Sequence, residues 1–247
     1  MRTLKFTLQY DGTAYVGWQR QPNGKSIQAV LEDAVAPIEG GVATLHGAGR
    51  TDAGVHALAQ VASAALSNHL EPPTLVRALN AVLPADVRVL TIEEMDSSFH
   101  ARFSARAKTY EYRIVNAPIV SAFLHRYVWH VSRPLDIEAM RTAAGPLVGT
   151  HDFAGFQAAG AGVASTERTI TAFDIEDGGG FDLPLILRIT GDGFLRHMVR
   201  NIVGTLVEVG VGRWDPWRLP GVLESCDRSQ AGPTAPAQGL FLTHVAY

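Results

Sequence analysis

The sequence predicts an α+β fold in which two similar halves of the chain each combine strands with amphipathic helices. Apolar and polar residues alternate along residues 3–10 and again along 107–115, and this period of two is typical of half-buried strands. Apolar residues recur at helical spacing after Ser26 and after Asp136, two side chains that commonly cap helices. The order strand, helix, strand therefore appears twice, and hairpin-like pieces beside it favour antiparallel sheets.

In the first half, a polar and glycine-bearing loop at residues 11–25 follows the first strand, and Ser26 caps the first helix. Thr74 is expected to cap a second helix, which Pro84 ends because proline cannot continue the backbone hydrogen bonds of a helix. The further strands expected in this half lie at residues 43–46, 60–65 and 87–92.

In the second half, Asp136 is expected to cap a helix behind the strand at residues 107–115. The longest helix is expected at residues 194–209, which are almost continuously apolar. Arg200 stands in this apolar run and needs a partner for its charge, and Arg196 lies one turn earlier on the same side. The remaining strands are expected at residues 170–175, 185–190 and 240–247.

The boundary between the halves is expected near Ser104. Residues 99–106 show no clean period and are typical of a segment that crosses from one half to the other. This boundary gives an N-terminal half at residues 1–104 and a C-terminal half at 105–247. Loops of small residues are expected at 155–165 and 177–180.

Composition is that of an ordinary globular protein, with 47% hydrophobic and 18% charged residues among 247. No apolar run reaches the length of a membrane span and the start does not resemble a signal peptide, so we expect a cytoplasmic protein. Cys226 is the only cysteine, so an internal disulfide is impossible. The net charge of −3 argues against indiscriminate binding of nucleic acid, although a local basic cleft is compatible with it. Arginine, which suits bidentate contacts to phosphate, supplies most of the 21 cations.

The most informative segment is the loop at residues 46–57, with the sequence HGAGRTDAGVHA. Three glycines within eight residues indicate a sharply turned backbone that allows close approach, and the loop carries one guanidinium, Arg50, and one carboxylate, Asp52. Such a loop is either a tight turn with a surface ion pair or a site that binds an anion or attacks a substrate. A dinucleotide site is disfavoured, because Asp52 stands where the third glycine of G-x-G-x-x-G would approach the pyrophosphate.

The motif GRTDAGVHA, together with YDGTAYVGWQRQ upstream and GFLRHMVRNIVGTLVEVG downstream, resembles the tRNA pseudouridine synthase A family. The resemblance covers residues 4–247. It implies two ferredoxin-like (RRM-like) halves, whose mixed and mainly antiparallel sheets join around a central active-site cleft. It also implies a cofactor-free isomerase, a homodimer, that converts uridine to pseudouridine at positions 38, 39 and 40 of the tRNA anticodon stem-loop.

By this resemblance, Asp52 is the catalytic carboxylate, which either adds to C6 of the base or acts on the ribose. Carboxylate nucleophiles that hold a covalent intermediate are known enzyme chemistry. Arg50 is interpreted as holding the target nucleotide out of its helix, because flipping costs a few kcal/mol of stacking; the alternative is a phosphate or carboxylate partner on the loop. The resemblance gives Tyr110 the role of stacking on the base and Arg200 a place opposite Asp52. Leu240 would line the uracil pocket. Core packing is the alternative for Tyr110 and Leu240, and Tyr112 is expected to be structural.

Metal and serine-hydrolase chemistry find no support in the sequence. It contains no H-x-x-x-H, no H-E-x-x-H, no cysteine cluster and no G-x-S-x-G, so we expect no metal and no serine-hydrolase chemistry. The competing hypothesis is a non-catalytic RNA-binding module with two RRM-like halves, but the RNP1 pattern is missing and such a module does not need Asp52. Two departures from the family, the alanine- and glycine-rich residues 155–162 and Gln238 in place of an acidic residue, bear on substrate choice.

Overall fold

The chain divides into two units in the computed structural model, which describes residues 1–158 and 164–247. One unit comprises Met1–Arg106 with Phe241–Tyr247, and the other comprises Ala107–Leu240. Each unit combines helices with strands, which confirms the predicted α+β class. The division of the chain into two domains near Ser104 stays a prediction.

The first unit contains a sheet of four main strands in the order β4–β1–β3–β10. Strand β1 pairs antiparallel with both β3 and β4, whereas β10 pairs parallel with β3 through Phe241 opposite His56 and Leu242 opposite Ala57. A short strand, β2, pairs antiparallel with β3. The strands are β1 (Arg2–Tyr10), β2 (His46–Gly47), β3 (His56–Leu66), β4 (Val87–Met95) and β10 (Leu240–Ala246), and the helices are α1 (Ile27–Glu39) and α2 (Pro72–Val82).

The second unit contains an antiparallel sheet in the order β5–β9–β8–β7, and a short strand, β6, pairs parallel with β5. Its three helices pack against one another through α3, which contacts both α4 and α5. The strands are β5 (Ala107–Val115), β6 (Trp129–His130), β7 (Gly149–Asp152), β8 (Glu167–Glu176) and β9 (Leu185–Gly191), and the helices are α3 (Ile137–Ala144), α4 (Met198–Gly210) and α5 (Arg218–Ser225).

Two of the three predicted helix caps are confirmed. Ser26 accepts a hydrogen bond from the backbone N–H of Ala29 at 3.3 Å, and Asp136 caps α3 in the same way. The prediction for Thr74 is wrong, because α2 begins at Pro72 and Thr74 lies inside it. Prolines are tolerated in the first helical turn, where the backbone N–H groups have no partner within the helix, so they extend α2 backward.

The predicted start of the helix around Arg200 is also wrong. Helix α4 begins at Met198 rather than at residue 194, because His197 has a φ of 61° and this left-handed backbone cannot continue a helix. Arg196 therefore lies outside the helix and does not share a face with Arg200. At 13 residues, α4 equals α1 in length instead of exceeding it.

Two strands differ in extent from their predictions. The strand expected at residues 43–46 is reduced to His46–Gly47, and β3 begins at His56, before the expected residue 60. The predicted small-residue loop at 155–165, like the alanine- and glycine-rich 155–162, extends over residues 159–163, which lie outside the described residues. Across residues 1–158 and 164–247, the helices are too short or too polar to cross a membrane.

Candidate active site

The glycine-rich loop connects β2 to β3, and these two strands pair through His46 opposite Ser63 and Gly47 opposite Ala62. A turn at its far end is closed by a hydrogen bond from the backbone N–H of Val55 to the carbonyl of Asp52, at 3.1 Å. Gly54 occupies the third position of this turn with a φ of 78°, a conformation that favours glycine. Asp52 is thus the first residue of a tight turn with defined geometry.

The residues on both sides of Arg50 are fixed by a buried hydrogen-bond network. The hydroxyls of Tyr10 and Thr51 share a hydrogen bond of 2.8 Å, and the side-chain amide of Gln60 donates to the carbonyl of Gly49 at 2.9 Å and to the Tyr10 hydroxyl at 3.4 Å. Tyr10, Thr51 and Gln60 are all buried. Burial raises the pKa of Tyr10 to about 12 although both hydrogen bonds oppose the shift, so the network remains protonated at neutral pH.

The segment that follows β1 supports the loop from behind. Trp18 donates its backbone N–H to the carbonyl of Thr51 at 3.0 Å, and Gly54 donates to the carbonyl of Tyr15 at 3.3 Å. Gly17 has a φ of 104°, and a Cβ at this position would lie 2.4 Å from the Thr51 carbonyl oxygen. Only glycine fits this contact. The sequence signal for it was present in the YVGW segment, but its role as the support of the Asp52 loop was not predicted.

The histidine of the GRTDAGVHA motif has a structural role. His56 is buried, its Nδ1 accepts the backbone N–H of Gly12 at 3.1 Å, and its ring stacks on Phe241 at 4.7 Å between centroids. It thereby ties the end of the loop to the residues after β1 and to β10. This structural role of His56 is not evident from the sequence.

The two charged residues of the loop differ from their neighbours in exposure. Thr51 is buried, whereas Asp52 is half-buried and Arg50 is exposed. Within the part of the chain that the structure describes, Arg50 forms no ion pair and no side-chain hydrogen bond, so the alternative of an internal loop ion pair between Arg50 and Asp52 is not found there. The loop therefore combines a fixed backbone with two charged groups that solvent or a ligand can reach.

The other predicted site residues belong to the second unit. Tyr110 lies on β5 opposite Ile189, is 7% exposed, and meets the ring of Phe194 edge-on at 5.2 Å between centroids. Tyr112, two residues later, is fully buried and donates its hydroxyl proton to the carbonyl of Pro236 at 2.7 Å. Burial raises the pKa of Tyr112, and the positive charge of Arg200 acts in the opposite direction to a lesser extent. Tyr112 and Arg200 donate to the carbonyls of two consecutive residues, Pro236 and Ala235.

Arg200 is the one residue of α4 that is not buried. Its Nε donates to the carbonyl of Ala235 at 2.8 Å, and Ala235 returns a backbone hydrogen bond to the Arg200 carbonyl at 3.1 Å. Segment 232–235 lies close against the helix at Gly204, where a Cβ would come within 1.7 Å of the Pro233 carbonyl oxygen. The Arg200 guanidinium is therefore held in place, in the first turn of α4, by the backbone of segment 232–235.

Leu240 is the first residue of β10 and is 5% exposed, which is the burial expected of a core residue as well as of a residue lining a pocket. Its backbone follows a short 3-10 turn at Ala237–Gly239. Among residues 1–158 and 164–247, histidine, cysteine and carboxylate side chains form no group of three or more that could hold a metal ion.

Comparison with known proteins finds a matching family model and similar sequences. A family model described as tRNA pseudouridine synthase matches residues 7–104 and 143–247. A tRNA pseudouridine synthase A of Pelobacter propionicus is 45% identical over 247 residues, and the match covers all of both chains. A tRNA pseudouridine synthase A of Syntrophotalea carbinolica is 46% identical over 247 residues, covering all of this chain and 97% of the other. Among solved structures, a chain in the crystal structure of a Cbf5-Nop10-Gar1 complex has a TM-score of 0.40 and 12% identity, covering 97% of this chain and 49% of that one.

The buried network beneath the loop predicts a measurable coupling between Tyr10 and Thr51. Tyr10→Phe and Thr51→Val each remove one partner of the 2.8 Å hydrogen bond and leave the other buried without it. Each variant is expected to lose about 1–2 kcal/mol of unfolding free energy, and the double variant less than the sum, with a coupling of about 1 kcal/mol. Urea unfolding of the four proteins gives this value. Strictly additive losses would mean that the two hydroxyls do not interact.

Proposed function

The chain belongs to the tRNA pseudouridine synthase family, isomerases that convert uridine to pseudouridine in tRNA, and we propose that Asp52 is its catalytic carboxylate. We further propose that its targets are positions 38, 39 and 40 of the anticodon stem-loop. The enzyme works without a cofactor, as a homodimer in the cytoplasm. The observation that carries this proposal is the placement of Asp52 on a loop whose backbone is fixed on both sides.

The reaction requires a catalytic group whose position is fixed. The bond between C1′ and N1 breaks, the uracil turns, C5 joins C1′, and the proton on C5 leaves while N1 gains one. Asp52 has the carboxylate that this chemistry uses, either as a nucleophile at C6 of the uracil or at the ribose. The hydrogen-bonded Thr51 on one side and the turn closed by Val55 on the other support such a role, because they limit how far the carboxylate can move.

Arg50 is proposed to hold the target nucleotide in its flipped state. Extruding a base from a stem costs a few kcal/mol of stacking and pairing. A guanidinium that is exposed, and that pairs with no carboxylate in the described part of the chain, is available for a phosphate or for the gap left in the stem. The short distance in sequence between Arg50 and Asp52 means that both would act on the same nucleotide.

Tyr110, Arg200 and Leu240 complete the proposed assignment. Tyr110 would stack on the uracil, and its edge-on contact with Phe194 supports this role by fixing the plane of its ring. Arg200, whose side chain is oriented by the Ala235 carbonyl, would stabilise the ionised carboxylate of Asp52 through its positive charge. Leu240 would provide an apolar wall for the base.

The competing hypothesis of a non-catalytic RNA-binding module is excluded at the level of the family, since the chain belongs to a family of isomerases. The reaction, rather than the binding, is therefore the property to test.

Replacing Asp52 by Asn should abolish pseudouridine formation and preserve tRNA binding, because the amide keeps the shape of the side chain but is a poor nucleophile and base. The measurement is the single-turnover yield of pseudouridine on an unmodified tRNA transcript, beside the dissociation constant for the same tRNA. Asp33→Asn is the matched control, since Asp33 is an exposed carboxylate whose ion pair with Arg20 lies on the surface of α1. Pseudouridine formation by Asp52→Asn at a rate near that of the control would remove Asp52 from the mechanism.

Replacing Arg50 by Ala should slow modification of a structured stem-loop more than modification of an RNA whose target uridine is already unpaired. The reason is that the cost of flipping, a few kcal/mol, is largely absent in the unpaired RNA. Single-turnover rates on the two RNAs give the comparison. Arg77→Ala, which removes an exposed cation of α2, controls for the general loss of charge. Equal losses on both RNAs would assign Arg50 to the chemical step instead of flipping.

A further inference from the structure

An open pocket lies in the second unit, where the chain passes from α4 to α5. Its cavity has a volume of about 710 Å³ and is lined by Arg213, Trp214, Asp215, Trp217 and Arg218, which we call the tryptophan pocket. None of these residues belongs to the proposed active site. Arg200 lies near the start of α4 and the pocket beyond its end, and the ten helical residues that follow Arg200 rise by about 15 Å.

The backbone of the pocket is held by local hydrogen bonds. The N–H groups of Arg213 and Trp214 both donate to the carbonyl of Glu208, at 3.0 and 3.2 Å. Asp215 accepts the backbone N–H of Trp217 on its Oδ1 at 2.9 Å and that of Arg218 on its carbonyl at 3.0 Å. The pocket is therefore a shaped surface that exists before any ligand binds.

Trp217 contributes little to the packing of the unit, because 72% of its surface is exposed. Trp214 is half-buried, and the guanidinium of Arg218 lies over its ring, 5.1 Å from the centroid. One indole is thus fixed by a cation, while the other presents its ring to solvent. An exposed indole is a platform on which a nucleobase can stack.

The two arginines of the pocket differ in how their charge is balanced. Arg213 forms an ion pair with Glu208 at 2.7 Å. Arg218 instead donates to two neutral oxygens of Gln230, at 3.2 and 2.8 Å, and has no carboxylate partner among residues 1–158 and 164–247. Its charge is therefore available to an anion, and a guanidinium suits a phosphate group.

We propose that the tryptophan pocket is an accessory RNA site that binds one unpaired nucleotide of the tRNA, apart from the uridine that reacts. The base stacks on Trp217, and a phosphate contacts Arg218. This inference rests on the proposed tRNA substrate. The site contributes to tRNA affinity and not to the chemical step, since it lies beyond the opposite end of α4 from Arg200.

The test compares the full-length protein with Trp217→Ala, Trp217→Phe and Arg218→Gln. Phe181→Ala, which removes an exposed aromatic residue outside the pocket, is the matched control. The probe is an unmodified tRNA transcript. Its dissociation constant is measured at several salt concentrations, together with the single-turnover rate of pseudouridine formation at saturating enzyme and the melting temperature of each protein.

Trp217→Ala should weaken tRNA binding about tenfold, which is the order of effect of removing one stacking aromatic residue. The loss should appear in KM and not in the rate at saturating enzyme, and Trp217→Phe should recover most of the affinity. Arg218→Gln should lower the slope of log affinity against log salt by about 0.7–0.9, the value of one phosphate contact. The control should bind as the unaltered protein does.

Unchanged tRNA affinity in Trp217→Ala would overturn the proposal. So would a change in the self-association of the protein with unchanged tRNA affinity, because the pocket would then be a protein interface. A loss of tRNA affinity in Trp217→Ala with an unchanged melting temperature supports the proposal. If the melting temperature of Trp217→Ala is lowered, the tRNA affinity of Trp217→Phe and the salt slope of Arg218→Gln decide the question. The proposed function fails separately, when the unaltered protein binds tRNA and forms no pseudouridine.

Discussion

The position of Asp52 depends on the hydrogen bond between Tyr10 and Thr51. Glycine-rich loops are mobile unless other groups restrain them, and this loop carries three glycines within eight residues. Three contacts supply the restraint. The Thr51 hydroxyl is hydrogen-bonded inside the unit, the Gln60 amide donates to the Gly49 carbonyl, and Gly17 packs closely against the Thr51 carbonyl. The glycines allow the backbone of the loop to turn sharply, and the buried network restricts it to a single conformation. A carboxylate carried by such a backbone needs little reorganisation before it reacts.

The position of Arg200 in α4 avoids the cost of burying its charge. Burying a guanidinium in an apolar helix without compensation is costly, and twelve of the thirteen residues of α4 are buried. The helix places Arg200 at its first turn, where the side chain reaches the rim and the Ala235 carbonyl accepts its Nε–H. The closeness of segment 232–235 at Gly204 makes this contact possible. Gly17 in the first unit and Gly204 in the second therefore each allow two backbone segments to approach closely beside a charged residue.

The regular part of the fold could be predicted from the sequence, because alternating strands and capped helices are recorded in local patterns. Ser26 and Asp136 are examples, since the cap and the apolar stripe behind it lie within a few residues. The start of α4 could not be predicted, because the apolar pattern continues through His197 although the backbone there is left-handed and cannot continue a helix. The parallel pairing of β10 with β3 joins residues far apart in the chain, and no local pattern records it. For the site, the charged residues of the loop stood out in the sequence, whereas the supporting contacts of Tyr10, Gln60 and Gly17 required the structure.

We propose that this chain uses the Asp52 loop to isomerise uridines of the tRNA anticodon stem-loop. The most direct measurement is a map of pseudouridine at single-nucleotide resolution in an unmodified full-length tRNA that has uridines at positions 38, 39 and 40, before and after treatment with the purified protein. We expect new pseudouridine at these positions and at no other. Pseudouridine outside the anticodon stem-loop, or none at all with a folded protein that binds the tRNA, would contradict the account.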